Sequence, residues 1–595
     1  MVGKRMKLYK GIAASPGIAV GTAHLVDRRR FRIPKRHLEK EEIAAEVKRF
    51  HQAVKRAVEQ LEAIKEKMAQ ARKREPLAII DAQILMVQDE MLLRGTEENI
   101  RRQRQNAEWA LRDTVTQIRR EFDRLEDDYF RERRSDVEFV GQRIMRNLMG
   151  QEAEFRPPQH GQVVLVAHDL SPVDTAGLNR RHVAGFVTEA GGKTSHTAII
   201  ARSLGLPAVV GAEDILARVG QGDRLVVDGY RGRIILHPSE RSIQEALERK
   251  EFLQGRTRAL MSEKEAPAQT RDGYRMRLLA NLEMVEEVGQ ALHYGAEGVG
   301  LFRTEFLFLQ RRPPTEGFQR RCYREILRRM KGRPVTIRTL DLGGDKRLPF
   351  LRSEPENNPA LGLRSIRLSL RNRTLFLTQL RALLRASVDG KLKILFPMIS
   401  CMRELREAWA ALEEAKEQLR AKGQAFDNDV QVGMMVEVPS AAVMSDVMAR
   451  QVDFFSIGTN DLVQYMLAAD RQNEQVAYLF NPLHVAVLRT LQYVVRSAHQ
   501  AGIPVTLCGE MAGDPLYLHV VLGLELDEIS MNPMSLPYAR HMIRQSRLSE
   551  AKRLVREMVK VGDSEKIHES VRRWMAERFP DFFTKEGPAE ILGGL

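Results

Sequence analysis

The chain has 595 residues, 43% hydrophobic and 29% charged, with 94 Lys and Arg against 79 Asp and Glu for a net charge of +15. That length exceeds a single core and predicts three or four domains. No apolar run approaches the roughly 20 residues that cross a bilayer, and the basic N-terminus has no apolar signal core, so neither membrane insertion nor export is expected.

Cys322, Cys401 and Cys508 are too few and too scattered for a disulfide framework or a zinc site, which predicts a reducing, cytoplasmic setting. The positive balance invites a nucleic-acid reading. Its charges, however, alternate in sign along helical patterns, without a glycine–aromatic or metal-finger signature, so no nucleic-acid partner is expected.

In chain order, residues 8–26 read as short strands around Ser15-Pro16-Gly17. From about Pro34 to Met149 the composition turns to Glu, Arg, Ala and Leu, with Ile43, Val47, Val54, Val58 and Leu61 at helical spacing. This predicts two helical hairpins broken near Glu75-Pro76 and Arg94-Gly95. Strand-like runs return at Val163–Ala167, Val183–Val187, Ala208–Val210, Leu225–Asp228 and Arg233–Leu236, and Ser171-Pro172 reads as a helix start. The expectation is an α/β domain completed across the helical insert by the N-terminal strands.

Within it, Gly191-Gly192-Lys193-Thr194-Ser195-His196-Thr197 reads as strand, glycine turn, helix. With Thr194 or Ser195 as N-cap, His196 falls in the first helical turn, where the positive helix end favours a neutral, nucleophilic imidazole and free N–H groups can hold an anion. Taken alone, the stretch also fits a plain glycine-capped turn with a solvated histidine.

A charged helical connector near 240–267 precedes eight apolar runs, each followed by a helical pattern, at 277–282, 298–303, 334–340, 392–398, 432–438, 453–458, 503–508 and 527–531. Eight βα units predict a (β/α)8 barrel of the TIM type, whose chemistry sits at the carboxyl ends of its strands. Arg303 and Arg338 close two runs and with Arg471 could grip a dianion, or could pair structurally with Glu305 and Asp341. Glu437 and Asp461 are hard oxygen donors better suited to Mg²⁺ than to zinc. Cys508 is either a buried structural thiol or a proton donor at the barrel mouth.

Ser15-Pro16-Gly17, the Gly-Gly-Lys-Thr-Ser-His stretch ending at His196, Arg303-Thr304-Glu305-Phe306-Leu307, Asp341-Leu342-Gly343-Gly344-Asp345-Lys346, Glu437-Val438-Pro439 and Cys508-Gly509-Glu510-Met511-Ala512-Gly513 occur in that order. Together they resemble the Enzyme I family of the bacterial sugar phosphotransferase system, among the enzymes that use phosphoenolpyruvate, over about Leu8 to Arg572.

The resemblance implies a swivelling α/β phosphohistidine domain (1–30 and 151–240) carrying an inserted helical bundle (31–150) that docks the carrier protein HPr. A linker helix (241–267), a barrel (268–575) that binds phosphoenolpyruvate and forms a homodimer, and a C-terminal tail (576–595) would follow. His196 would take the phosphoryl group and pass it to a histidine of HPr, the first step of sugar transport. Arg303, Arg338, Lys346, Asn460, Asp461 and Arg471 would bind phosphoenolpyruvate, Glu437 and Asp461 would hold Mg²⁺, and Cys508 would protonate the enolate to pyruvate. Gln472 stands where the family usually has glycine, and Ala71-Arg72-Lys73-Arg74-Glu75 is basic where relatives commonly offer carboxylates, which implies an acidic or apolar carrier surface. A dikinase relative would need a large ATP-binding domain ahead of the histidine domain, and none is expected here.

Overall fold

The structure, a computed structural model, describes residues 5–583 except 27–32, 71–82, 85, 124–127, 151–160, 171–181, 193–196, 199–200, 202–203, 309–311, 344–349, 352–355, 472 and 474. It divides into two compact units between residues 254 and 255.

The first unit holds an eight-stranded sheet. Its strands are β1 (Lys7–Lys10), β2 (Ile12–Ser15), β3 (Ile18–Val26), β4 (Val163–Ala167), β5 (Val183–Thr188), β6 (Ala208–Val210), β7 (Arg224–Asp228) and β8 (Arg233–Leu236), in the order β1-β8-β7-β3-β4-β5-β6-β2. β3 runs parallel to β4, with Thr22 opposite Val163 and Val26 opposite Ala167, so strands from both sides of the helical insert share one sheet. β4 is buried along its whole length. Its side chains alternate between two cores: Val163, Leu165 and Ala167 join one, Val164 and Val166 the other.

The insert comprises helices Ile43–Gln70, Glu90–Gln103, Ala107–Asp123 and Asp128–Leu148. Val47, Phe50, Val54, Ala57 and Leu61 line the buried stripe of the first helix. The expected break at Arg94-Gly95 is corrected, because the second helix runs straight through it. It starts instead at Asp89, whose carboxylate accepts from Met91 N at 2.9 Å, and stops at Arg104, which is left-handed at φ 51°. Gly95 is a packing residue, since a Cβ there would lie 2.9 Å from Thr114 Cγ2 on the next helix. The other expected break, Glu75-Pro76, and the basic stretch 71–75 lie outside the described residues.

The helix Glu240–Ser262 leads to the second unit. There β9 (Arg277–Leu282), β10 (Val299–Phe302), β11 (Val335–Arg338), β12 (Leu392–Phe396), β13 (Gln431–Val436), β14 (Phe454–Ile457), β15 (Val505–Leu507) and β16 (Glu528–Met531) close into a parallel barrel. β16 pairs β9 from Glu528–Arg277 to Met531–Ala280, which seals the ring. Leu301, Leu395, Met435, Phe454 and Cys508 fill its interior.

The C-terminal boundary expected at 576 needs correction. Helices Ser564–Arg578 and Pro580–Phe583 continue past it, and Phe579 and Phe582 are buried in the barrel core. Phe582 also stacks with His541 at 5.8 Å and lies 3.9 Å from the Arg256 guanidinium, aromatic contacts that fix this end to the barrel. No helix among the described residues is long and apolar enough to cross a membrane.

Candidate active site

The barrel brings its polar residues together at the carboxyl ends of β9 to β15, where strand backbones end and side chains can face a shared mouth. Arg338 is buried at the end of β11. Its Nη2 donates to Glu305 Oε1 at 2.6 Å and its Nη1 pairs with Asp341 Oδ2 at 2.8 Å. Burial favours the neutral guanidine, but Asp341 and Glu305 outweigh it and hold Arg338 firmly protonated. Asp341 is buried too, which raises its pKa, yet Arg338 and Arg364 bring it down to about 2.

Arg364 was not legible as a site residue. Its Nη2 lies 3.2 Å from Asp341 Oδ1 and 3.6 Å from Asp461 Oδ2, and its Nη1 donates to the Tyr465 hydroxyl at 3.2 Å. That hydroxyl donates to the Ala360 carbonyl at 2.6 Å. Gly343 makes the arrangement possible: it has φ +115° and bridges to Arg364, and a Cβ there would stand 2.7 Å from Arg364 Cα. The glycine of Asp341-Leu342-Gly343 thus lets the loop carrying Arg364 close onto Asp341.

Glu437, at the end of β13, is 1% exposed and accepts from Met398 N at 2.6 Å. Burial, followed by the charges of Asp461 and Asp341, pushes its carboxyl well above the ordinary range. Glu437 and Asp461 together fit a divalent cation, because cation charge would offset the repulsion between them. Gly458 leaves space there, since a Cβ would lie 2.7 Å from Glu437 Oε2. Among the described residues no cluster of three or more His, Cys, Asp or Glu is poised around one metal position, so two protein carboxylates are the donors on offer.

A second network adjoins the first through the Asn460-Asp461 step. Glu510 Oε1 accepts from Asn460 Nδ2 at 3.2 Å and from Arg471 Nη1 at 3.3 Å, while Glu510 N donates to Asn460 Oδ1 at 3.0 Å. Arg303 is partly exposed and pairs with Glu283. Cys508 is buried, its thiol near Ser456 Oγ at 3.3 Å and the Ile457 carbonyl at 3.4 Å. Burial pushes it up to about 11, so the thiol keeps its proton at neutral pH.

Behind these residues, Gln379 accepts from Leu340 N at 3.0 Å and donates to Thr304 Oγ1 at 3.2 Å, and Thr304 donates to the Arg338 carbonyl at 3.0 Å. These buried bonds fix the backbone that carries Arg338. Lys346 and Gln472 lie outside the described residues.

In the first unit, His196 and its N-cap candidates Thr194 and Ser195 also lie outside them, as does Ser171. The flanks are described. Gly191 has φ +106°, and Thr197 Oγ1 donates to Asp169 Oδ1 at 2.9 Å while accepting from Leu170 N at 3.2 Å. The residue after His196 is therefore pinned to the loop that follows β4. Asp169 was not legible as a site residue, and the signal for its role is the Asp-Leu pair just past an apolar strand.

Three family models cover most of the chain: the PEP-utilising enzyme N-terminal model at residues 10–133, the mobile-domain model at 159–232 and the PEP-binding-domain model at 257–548. Fold and barrel mouth together thus define a PEP-utilising enzyme. A phosphoenolpyruvate-protein phosphotransferase of Bacillus sp. (strain S) is 44% identical over 570 residues, 96% of this chain and 98% of that protein. Proteins of the same name from Geobacillus stearothermophilus and Bacillus subtilis (strain 168) are 43% and 42% identical, covering 96% and 94% of this chain and 98% of each relative. The chain belongs to the family of phosphoenolpyruvate–protein phosphotransferases.

Proposed function

We propose that the chain moves the phosphoryl group of phosphoenolpyruvate to His196 and from there to a histidine of an HPr-type carrier, releasing pyruvate as the first step of sugar uptake. The observation that carries this reading is the charge chain Glu305–Arg338–Asp341–Arg364–Asp461 beside Glu437 at the barrel mouth. Phosphoryl transfer needs charge neutralisation and alignment more than covalent help from the protein. Arg338 and Arg303, with Lys346, Arg471 and the Asn460-Asp461 segment, grip the phosphate and carboxylate of the substrate. Glu437 and Asp461 hold Mg²⁺, which when bound offsets charge on the substrate oxygens.

The bond between phosphorus and the enol oxygen breaks as one forms to an imidazole nitrogen of His196. The methylene carbon of the enolate then takes the proton of the neutral Cys508 thiol, giving pyruvate, and solvent returns the proton to sulfur. Residues 1–30 with 151–240 form the phosphohistidine domain, 31–150 dock the carrier, 241–267 link them to the barrel and the barrel begins at 268.

The chain works as a cytoplasmic homodimer. In support, Val443, Met444, Val447 and Tyr493 are exposed on adjoining elements of the barrel, where Pro439–Val443 and Ser445–Met448 pack on the helix Val485–Gln500. A coupled pyruvate assay with phosphoenolpyruvate, Mg²⁺ and HPr tests the reading. Pyruvate is expected in step with phosphorylated HPr, and its absence with every component present would refute the reading.

A further inference from the structure

A second cluster of cations lies at the opposite end of the barrel. Arg275, Glu297 and Arg333 each sit two residues ahead of a strand, before β9, β10 and β11. With Lys264, Gly295 and Arg540 they line a cavity of about 290 Å³. The volume is at the small end of the roughly 300–1,000 Å³ typical of ligand pockets.

Arg540, on the helix Leu536–Gln545, is 1% exposed, and its Nη2 donates to the Gly295 carbonyl at 2.7 Å. Its Nε and Nη1 are buried without a hydrogen-bond partner among the described residues. A guanidinium with two unmet donors is costly to bury. Burial indeed lowers its pKa, and the nearby Glu297 and Glu265 do not make good the loss.

The local carboxylates are engaged elsewhere or exposed. Glu297 Oε2 takes Arg275 Nη2 at 3.1 Å, its Oε1 accepts from Leu278 N at 3.3 Å, and Glu265 is exposed. Lys264 and Arg333 have no side-chain partner among the described residues. Gly295, at φ +80°, provides the room, because a Cβ there would fall 2.9 Å from Arg540 Nη1 and 2.2 Å from the Lys264 carbonyl oxygen. A role for Arg540 in merely holding the Gly295 loop would use one of its nitrogens, and the cavity lining sets Lys264, Arg275, Arg333 and Arg540 against Glu265 and Glu297, which leaves positive charge in excess.

We propose that this cavity on the amino-terminal face of the barrel is a binding site for a small multivalent anion, a phosphate or a dicarboxylate, held by Lys264, Arg333 and Arg540. Guanidinium groups suit both oxyanions because their planar N–H forks match paired oxygens. The site is separate from the barrel mouth and does not rest on the phosphotransfer reading.

Inorganic phosphate and, separately, malonate are titrated calorimetrically into the full-length wild type and the Arg333→Gln, Lys264→Gln and Arg338→Gln variants. Arg333→Gln and Lys264→Gln, the floor variants, probe the partly exposed residues of this amino-terminal cavity, the barrel floor, so the buried Arg540 need not be disturbed. Arg338→Gln disables the mouth and should retain one class of anion site. Arg333→Gln and Lys264→Gln should weaken that class at least tenfold while leaving binding at the mouth intact. Floor binding of phosphate assigns the site to phosphate esters, and floor binding of malonate alone assigns it to carboxylates; either supports the site. If neither anion binds to Arg338→Gln, or if both floor variants bind as the wild type does, the proposal is overturned.

Discussion

Replacing Gly343 by Ala tests whether the mouth depends on the loop that delivers Arg364. The new Cβ would stand 2.5 Å from the Leu363 carbonyl oxygen and 2.7 Å from Arg364 Cα, both backbone atoms, where ordinary contact begins at 3.4 Å. The loop must therefore retreat by about 0.7–0.9 Å, away from Asp341, and φ +115° adds strain of about 1–3 kcal/mol. A misplacement of about 1 Å can cost about 100-fold in rate, so kcat/KM for phosphoenolpyruvate should fall about 10- to 100-fold, or about 1.4–2.7 kcal/mol of transition-state stabilisation.

Gly502→Ala is the control. That glycine also has a positive φ, +76°, but nothing lies within 4 Å of its Cβ position and it is far in sequence from every mouth residue except Cys508 and Glu510. Steady-state pyruvate formation, with thermal melting to confirm folding, compares the two variants. Should Gly343→Ala keep kcat/KM within about twofold of wild type while remaining folded, the positioning argument for Arg364 is wrong.

Three other outcomes are expected. His519 accepts from Trp574 Nε1 at 2.8 Å, and burial, with the Arg578 charge, lowers its pKa from 6.5 to about 4. The unfolded chain therefore binds the proton first as pH falls, so stability drops below about pH 6.5. The loss should be about 1.3 kcal/mol between about pH 7.5 and about pH 5.5 in denaturant titrations of the wild type, and His519→Asn should lack that increment. Cys508→Ser should lower kcat for pyruvate release, and because burial pushes the wild-type thiol up to about 11, no alkaline loss traceable to it should appear below about pH 10 in a rate profile. Val443→Glu, at a residue 70% exposed, should shift sedimentation toward monomer, and an unchanged dimer would remove that face from the interface.

The barrel was highly legible in the sequence because each strand of a parallel barrel is buried on both faces and stands out as an apolar run ending in a polar residue. Glu437, Asp461, Arg338 and Cys508 could be picked out for the same reason. Arg364 could not, since it sits in a loop well past β11 and only the fold of Gly343 brings it back. Gly95 misled because glycine ends helices and also lets helices approach, and composition does not separate the two uses. Phe579 and Phe582 were taken for tail residues because a one-turn aromatic anchor is too short to give a helical period.

The central claim is phosphoryl transfer through His196. Purified wild type and His196→Ala are incubated with Mg²⁺ and phosphoenolpyruvate labelled in its phosphate, then the protein is assayed for acid-labile, base-stable label and the solution for pyruvate. The account predicts label on the wild type alone, with pyruvate released in equal amount. Equal label on His196→Ala, or none on the wild type, would contradict it.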